Sequence, residues 1–209
     1  MVDYSQSRRA YRVDDFVYPI VKSHSSYFLH HNLDRLLVSY EGDQTHLTLG
    51  RQQIALGVGR TVNPTDIFTP FSFLVVDTEV RNGVDALRLR YQFSEMGQFD
   101  TGVVLGENLQ DDNSGAYFQV HTAFLESELS PIVAYFLNAG LYGADFATSF
   151  LGNSFWLEAA KVVPKDFSSY FRMALGFERQ LTSDLIFFTE YYFNEARKRE
   201  TSEYAQTGN

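Results

Sequence analysis

The chain has 209 residues, 26 acidic and 17 basic, for a formal net charge of −9, and it contains no cysteine. That balance argues against nonspecific nucleic-acid binding, which needs a basic surface, and the lack of cysteine excludes a disulfide framework or a cysteine zinc site. No stretch approaches the ~20 consecutive apolar residues of a membrane-spanning helix, and the opening "MVDYSQSRRAYRVDDF" lacks the apolar run of a secretory signal, which by itself points to the cytoplasm.

Taken in chain order, the sequence alternates with period 2 almost from end to end. "RLLVSYEGDQTHLTLG" reads as a hairpin turning at Glu41-Gly42-Asp43-Gln44. An irregular stretch over 54–83 follows, with Gly57, Gly59, Pro64 and Pro70. Segment 84–93 sets Leu87, Leu89, Tyr91 and Phe93 against Ala86, Arg88, Arg90 and Gln92. Segment 99–106 sets Val103 and Leu105 against Asp100 and Gly102, and segment 116–125 sets Phe118 and Val120 against Gln119 and His121. Segment 131–141 is more uniformly apolar. Alternation resumes over 144–150, 154–163, 170–178 and 185–193, giving about ten hairpin-linked strands and no competing helix.

Alternation alone does not say which face is inside. A soluble sandwich buries the apolar parity, whereas a transmembrane barrel turns it to lipid and the polar parity to the lumen. Three features favour the barrel. The polar parity mixes charges with small residues (Arg88, Arg90, Asp100, Gly102, Gly106, Ala123, Asp145, Ala147, Arg172, Ala174, Gly176) rather than carrying Lys, Glu and Thr throughout as a wetted face would. The apolar parity carries Phe or Tyr near strand ends, as an interfacial girdle would. Connections after odd strands, counted from Arg35, are short, and those after even strands include the long 54–83 stretch, with one short exception between the sixth and seventh. The expected fold is therefore all-β, an antiparallel up-and-down transmembrane β-barrel in a single domain.

Candidate chemistry is sparse. Gly57-Val58-Gly59 hints at a phosphate cradle, but Val62 stands where a third glycine is needed and no helix follows, so the glycines are expected to permit a bend. His24, His30 and His31 lack converging partners for a metal site, no local signature selects a catalytic triad, and neither a cofactor nor an enzymatic activity is expected. Asn63-Pro64-Thr65-Asp66 is a turn signal. The 54–83 loop is long enough to fold over or into the lumen, or to cap the rim, which makes Arg60, Asn63, Asp66 and Arg81 constriction-loop candidates. Arg88, Arg90, Asp100, Asp145, Glu158, Arg172, Glu178 and Glu190 are the lumen-lining and selectivity candidates. Pairing among them across strands is the more economical reading than a solute site.

Several stretches carry a family likeness: Asp34-Arg35-Leu36, Gly50-Arg51-Gln52, Asn63-Pro64-x-Asp66 with Phe68 and Pro70, Arg81-x-Gly83-Val84-Asp85, and the later "FRMALGFERQLTSDLIFFTEYYFNEA". Over most of residues 33–196 the chain resembles Gram-negative outer-membrane porin-like β-barrels. It departs from them where a tryptophan often stands, at Ala55 or Leu56 here, and in the missing signal peptide. The resemblance implies a passive or selective channel for small hydrophilic solutes, seated in outer-membrane lipid, with oligomerisation left open. Both ends of the strand series fall on the long-loop side, whereas such barrels keep their termini at the periplasm. The chain is therefore expected to be a fragment or truncated member of a larger barrel that has lost its signal. A soluble β-sandwich or barrel binding a ligand or carbohydrate, and a non-transporting envelope barrel, are the alternatives.

Overall fold

The computed structural model describes residues 11–13, 18–19, 30–31, 33–68, 83–109 and 113–196. A two-residue ladder joins β1 (Tyr18–Pro19) to β2 (His30–His31). The other ten strands form one antiparallel sheet: β3 (Leu36–Glu41), β4 (Thr45–Gln52), β5 (Val84–Ser94), β6 (Gly97–Leu105), β7 (Gly115–Phe124), β8 (Ser127–Phe136), β9 (Ala139–Phe150), β10 (Asn153–Pro164), β11 (Tyr170–Thr182) and β12 (Leu185–Asn194). Their spatial order is their chain order, so every neighbour is a hairpin partner. The strand count and the up-and-down topology agree with the alternation pattern. Closure does not: among the described residues the edge strands β3 and β12 are not hydrogen-bonded to each other, and the sheet is open.

Turn chemistry explains where the strand boundaries differ from expectation. The uniformly apolar 131–141 segment is not one strand but the end of β8, a two-residue turn at Leu137-Asn138, and the start of β9. Both turn residues have positive φ, 41° and 59°, the backbone that matches the right-handed twist of the flanking strands. Leu125-Glu126 turns in the same way, at 49° and 60°, so that Ser127–Ser130, expected within a turn, is already strand. None of these residues except Asn138 is an ordinary turn former. Pro131 also sits inside the sheet. The β7–β8 ladder skips from Gln119↔Ile132 to Thr122↔Leu129 around it, because proline has no N–H to donate.

The two faces differ sharply. Leu87, Leu89, Phe171 and Leu175 are 44, 38, 38 and 49% exposed, while Asp100 and Glu158 on the other parity are 2 and 0% exposed. No second sheet covers the apolar face among the described residues. Its aromatic rings instead pair with one another across strands. Phe93, Phe99 and Phe118 form one chain with centroid separations of 4.4 and 5.7 Å, and Phe155, Phe177 and Phe187 another, at 5.0 and 6.1 Å. These contacts leave Phe177 half-buried. What covers the polar parity is the segment after β4. Ile54, Leu56, Ile67 and Phe68 pack onto Val104, Tyr117, Ile132, Leu141 and Val162, making a small apolar core at the long-loop end of that face. Ile132 and Leu141 supply the extra apolar residues that made 131–141 look uniform.

Gly176 shows how tightly the polar face is filled. The Trp156 indole, directly across the strand pair, lies where a side chain at 176 would begin. Gly176→Val is expected to displace the ring at a cost of about 1–3 kcal/mol, the usual range for overpacking. Trp156 is the single tryptophan of the chain. Its emission should shift to the red, and an unchanged spectrum would contradict the contact.

Candidate functional site

Two carboxylates of the sheet grip the segment that follows β4. Gly57 has φ +87°, a conformation open to glycine but strained for other residues. This turns the next two N–H groups toward the sheet. Val58 N and Gly59 N donate to Glu158 Oε2 at 3.0 and 3.2 Å, and Thr65 donates to Oε1 from both N and Oγ1 at 2.6 and 2.7 Å. A side chain at 57 would collide with the Glu158 carboxylate. The glycine pair is thus an anion cradle, and the anion is the protein's own.

Glu190 on β12 takes the next three amides. Arg60 N reaches Oε2 at 3.0 Å, and Thr61 N and Val62 N reach Oε1 at 3.1 and 3.0 Å, with the Trp156 indole N–H on Oε2 at 2.8 Å. The Arg60 guanidinium pairs with Glu178 on β11 and lies 5.3 Å from the Trp156 ring centroid. Asn63-Pro64-Thr65-Asp66 is the expected turn, closed by Asp66 N to Asn63 O at 3.1 Å, and Asn63 and Asp66 are both buried. Of the constriction-loop candidates, Arg60 is the one whose side chain stands free of the core. Arg81 lies outside the described residues, as does His24.

Toward the other edge, Arg88 clasps Asp100 with two contacts, Nε to Oδ1 at 3.0 Å and Nη2 to Oδ2, and Tyr117 Oη donates to Asp100 Oδ1 at 2.8 Å. Gln119 Nε2 donates to Asp145 Oδ2 at 3.3 Å. Arg90 Nε, and Nε and Nη2 of Arg172, are buried without a hydrogen-bond partner. The selectivity candidates therefore divide by role. Glu158, Glu178 and Glu190 hold the loop, Arg88 and Asp100 hold each other, and Arg90 and Arg172 keep unused donors.

The loop leaves the polar face of β3–β5 uncovered. A recess of about 420 Å³ opens there, lined by Arg35, His46, Arg88 and Arg90 together with Ser39 and Thr48, and no carboxylate is among its lining residues.

A third cluster closes the long-loop end of the sheet, and its residues come from fragments far apart in the chain. Arg51 donates Nε and Nη2 to the two oxygens of Asp85, each at 2.8 Å, and Nη1 to Leu33 O at 2.8 Å. Arg12 reaches Asp34 Oδ1 at 2.9 Å and Gly83 O at 2.8 Å, and Gly83 N donates to Asp34 Oδ1 at 3.1 Å. Desolvation raises the Asp34 pKa, but the Gly83 amide and the Arg12 charge outweigh it and leave the carboxyl below its ordinary value. Its contribution to stability is present above the ordinary carboxylate pKa and is lost as pH falls through the lowered one. Asp85→Asn, which keeps one acceptor for the buried Arg51 fork, is expected to cost about 1–3 kcal/mol. Chemical denaturation would read that loss, and a midpoint equal to wild type would exclude it.

Among the described residues no group of three or more His, Asp or Glu side chains is placed to hold a metal ion. No described helix is long and apolar enough to cross a membrane, a finding that says nothing of crossing by strands. No protein-family model, no curated protein and no solved structure matches the chain. The functional reading therefore rests on the two faces of the sheet and on the loop.

Proposed function

We propose that this sheet is wall of an outer-membrane β-barrel of the porin type, a water-filled channel for small hydrophilic solutes. The observation that carries the proposal is the inverted polarity of the sheet: leucines and phenylalanines stand exposed on one face while paired charges are buried on the other. In water such a face is a large uncovered apolar patch. In a bilayer it is the face that lipid requires, with backbone groups satisfied between strands. Phe93 and Phe99, and Phe155, Phe177 and Phe187, lean toward the short-turn end, and Phe171, Tyr135 and Phe193 stand toward the other, as two interfacial belts would. The exposed apolar face also argues against a soluble sandwich, which needs that face dry.

On this reading the segment 54–68, bound to the polar face, narrows the lumen, and the edges β3 and β12, unpaired with each other among the described residues, are where the wall would close or continue. The test is solubility followed by conductance. The chain is expected to need detergent to stay monodisperse and to give ion conductance in a planar bilayer. A monodisperse protein without detergent would overturn the proposal. The way the loop fills the polar face also favours a second reading, a barrel that is plugged and does not transport. A detergent-dependent protein with no conductance would select it.

A further inference from the structure

We infer that the recess beside β3–β5 is a subsite for a small oxyanion, a solute bearing a carboxylate or a phosphate. The inference rests on the channel reading for its physiological meaning but not for its chemistry.

The chain carries nine more acidic than basic residues, yet this recess is lined by three arginines and a histidine with no carboxylate. Two of the three guanidinium groups are already answered, and the histidine has a carboxylate neighbour. Arg88 is neutralised by Asp100. Arg35 stands 3.6 Å from Asp34 and donates to Gln53 Oε1 at 2.9 Å. His46 lies 3.5 Å from Glu41, and Glu41 and Asp43 line a neighbouring turn recess that both His46 and Arg90 border.

Arg90 is different. Its register partners are Asp100 and His46. Both oxygens of Asp100 are held by Arg88, and Oδ1 also receives the Tyr117 hydroxyl. Arg90 stands across from a carboxylate whose two oxygens are already engaged by Arg88 and Tyr117, and its own Nε is buried with no acceptor. A buried guanidinium donor without an acceptor is costly, and a planar oxyanion satisfies the guanidinium fork with two parallel hydrogen bonds. The Ser39 and Thr48 hydroxyls, 3.3 Å apart on the adjacent strands, line the same recess and supply further donors. Ring charges of one sign in a polar passage select for the opposite ion.

The test is calorimetric titration of the full chain in detergent with inorganic phosphate and with citrate, using glucose and putrescine as neutral and cationic controls. Binding of both oxyanions and of neither control is expected. Arg90→Gln should weaken it about tenfold, the loss of one charge-assisted hydrogen bond. Ser39→Glu, on an exposed edge-strand position, keeps Arg90 and places a negative charge in the recess. It should abolish binding and gives the answer should R90Q not refold. Oxyanion binding that is absent in wild type, matched by glucose, or unchanged in S39E would overturn the subsite. Bilayer conductance of the same preparation separates the two ideas. Binding without conductance keeps the subsite and removes the channel, and conductance without binding does the reverse.

Discussion

Replacing Glu158 with alanine is expected to release the segment 54–68 from the sheet. Four donors converge on this one carboxylate: the N–H groups of Val58, Gly59 and Thr65 and the Thr65 hydroxyl. Glu158 is fully buried, so no water replaces it while the loop stays in place. Each donor left unsatisfied costs about 1–3 kcal/mol if it remains buried. The loop can limit that loss by lifting into solvent, which puts the net effect at about 3–5 kcal/mol, the range for removing one partner of a buried charged contact. Glu158→Gln should fall between alanine and wild type, because its amide oxygen can accept from only one of the two sets of donors.

Tryptic cleavage after Arg60 is the direct readout. The Arg60 amide is tied to Glu190 and its guanidinium to Glu178, so the bond is guarded in the wild type and should be cut much faster in E158A. Equal cleavage rates would show that the carboxylate does not hold the loop. If the polar face lines a channel, the same variant should also conduct more, since the displaced segment no longer narrows the passage. Cleavage without a rise in conductance would keep the latch and discard the constriction.

The latch was half visible in the sequence. Gly57-Val58-Gly59 hints at an anion cradle but by itself supports only the expectation of a bend, because the motif is local and the carboxylate it meets is a hundred residues away. Period-2 alternation made ten strands legible because successive side chains of a strand point to opposite faces of the sheet, one apolar and one polar. It failed over 131–141, where the loop's Ile54, Leu56, Ile67 and Phe68 supply an apolar cover for residues on the polar parity and where Leu137-Asn138 turns the chain with a single usual turn residue; the Leu125-Glu126 turn before it has none. The fragments around Asp34, Arg51 and Gly83-Val84-Asp85 were recognisable as a pattern without a reason. The reason is geometric: antiparallel pairing of β3, β4 and β5 brings all three to one sheet end, where the two guanidinium groups of Arg12 and Arg51 tie them together. Whether the sheet closes depends on edge pairing, and alternation carries no information about that.

The orientation of the sheet is open to a second strong test. Leu157 lies mid-strand on the apolar face, paired with Phe146 and Leu175, and it is 39% exposed. At an exposed position in water, leucine to arginine is usually within about 0.5 kcal/mol of neutral. Facing the bilayer midplane, the same change costs about 2–4 kcal/mol. Leu157→Arg should therefore reduce the free energy gained on folding into phosphatidylcholine vesicles, read from urea titrations, by an amount in that range. Ser149→Arg, which puts the same charge on the polar parity near the short-turn end, should fold as the wild type does. The pair introduces the same charged side chain at two positions that differ in the direction they face and in their depth along the strand. If Leu157→Arg folds into vesicles as well as Ser149→Arg does, the apolar face is not in contact with lipid.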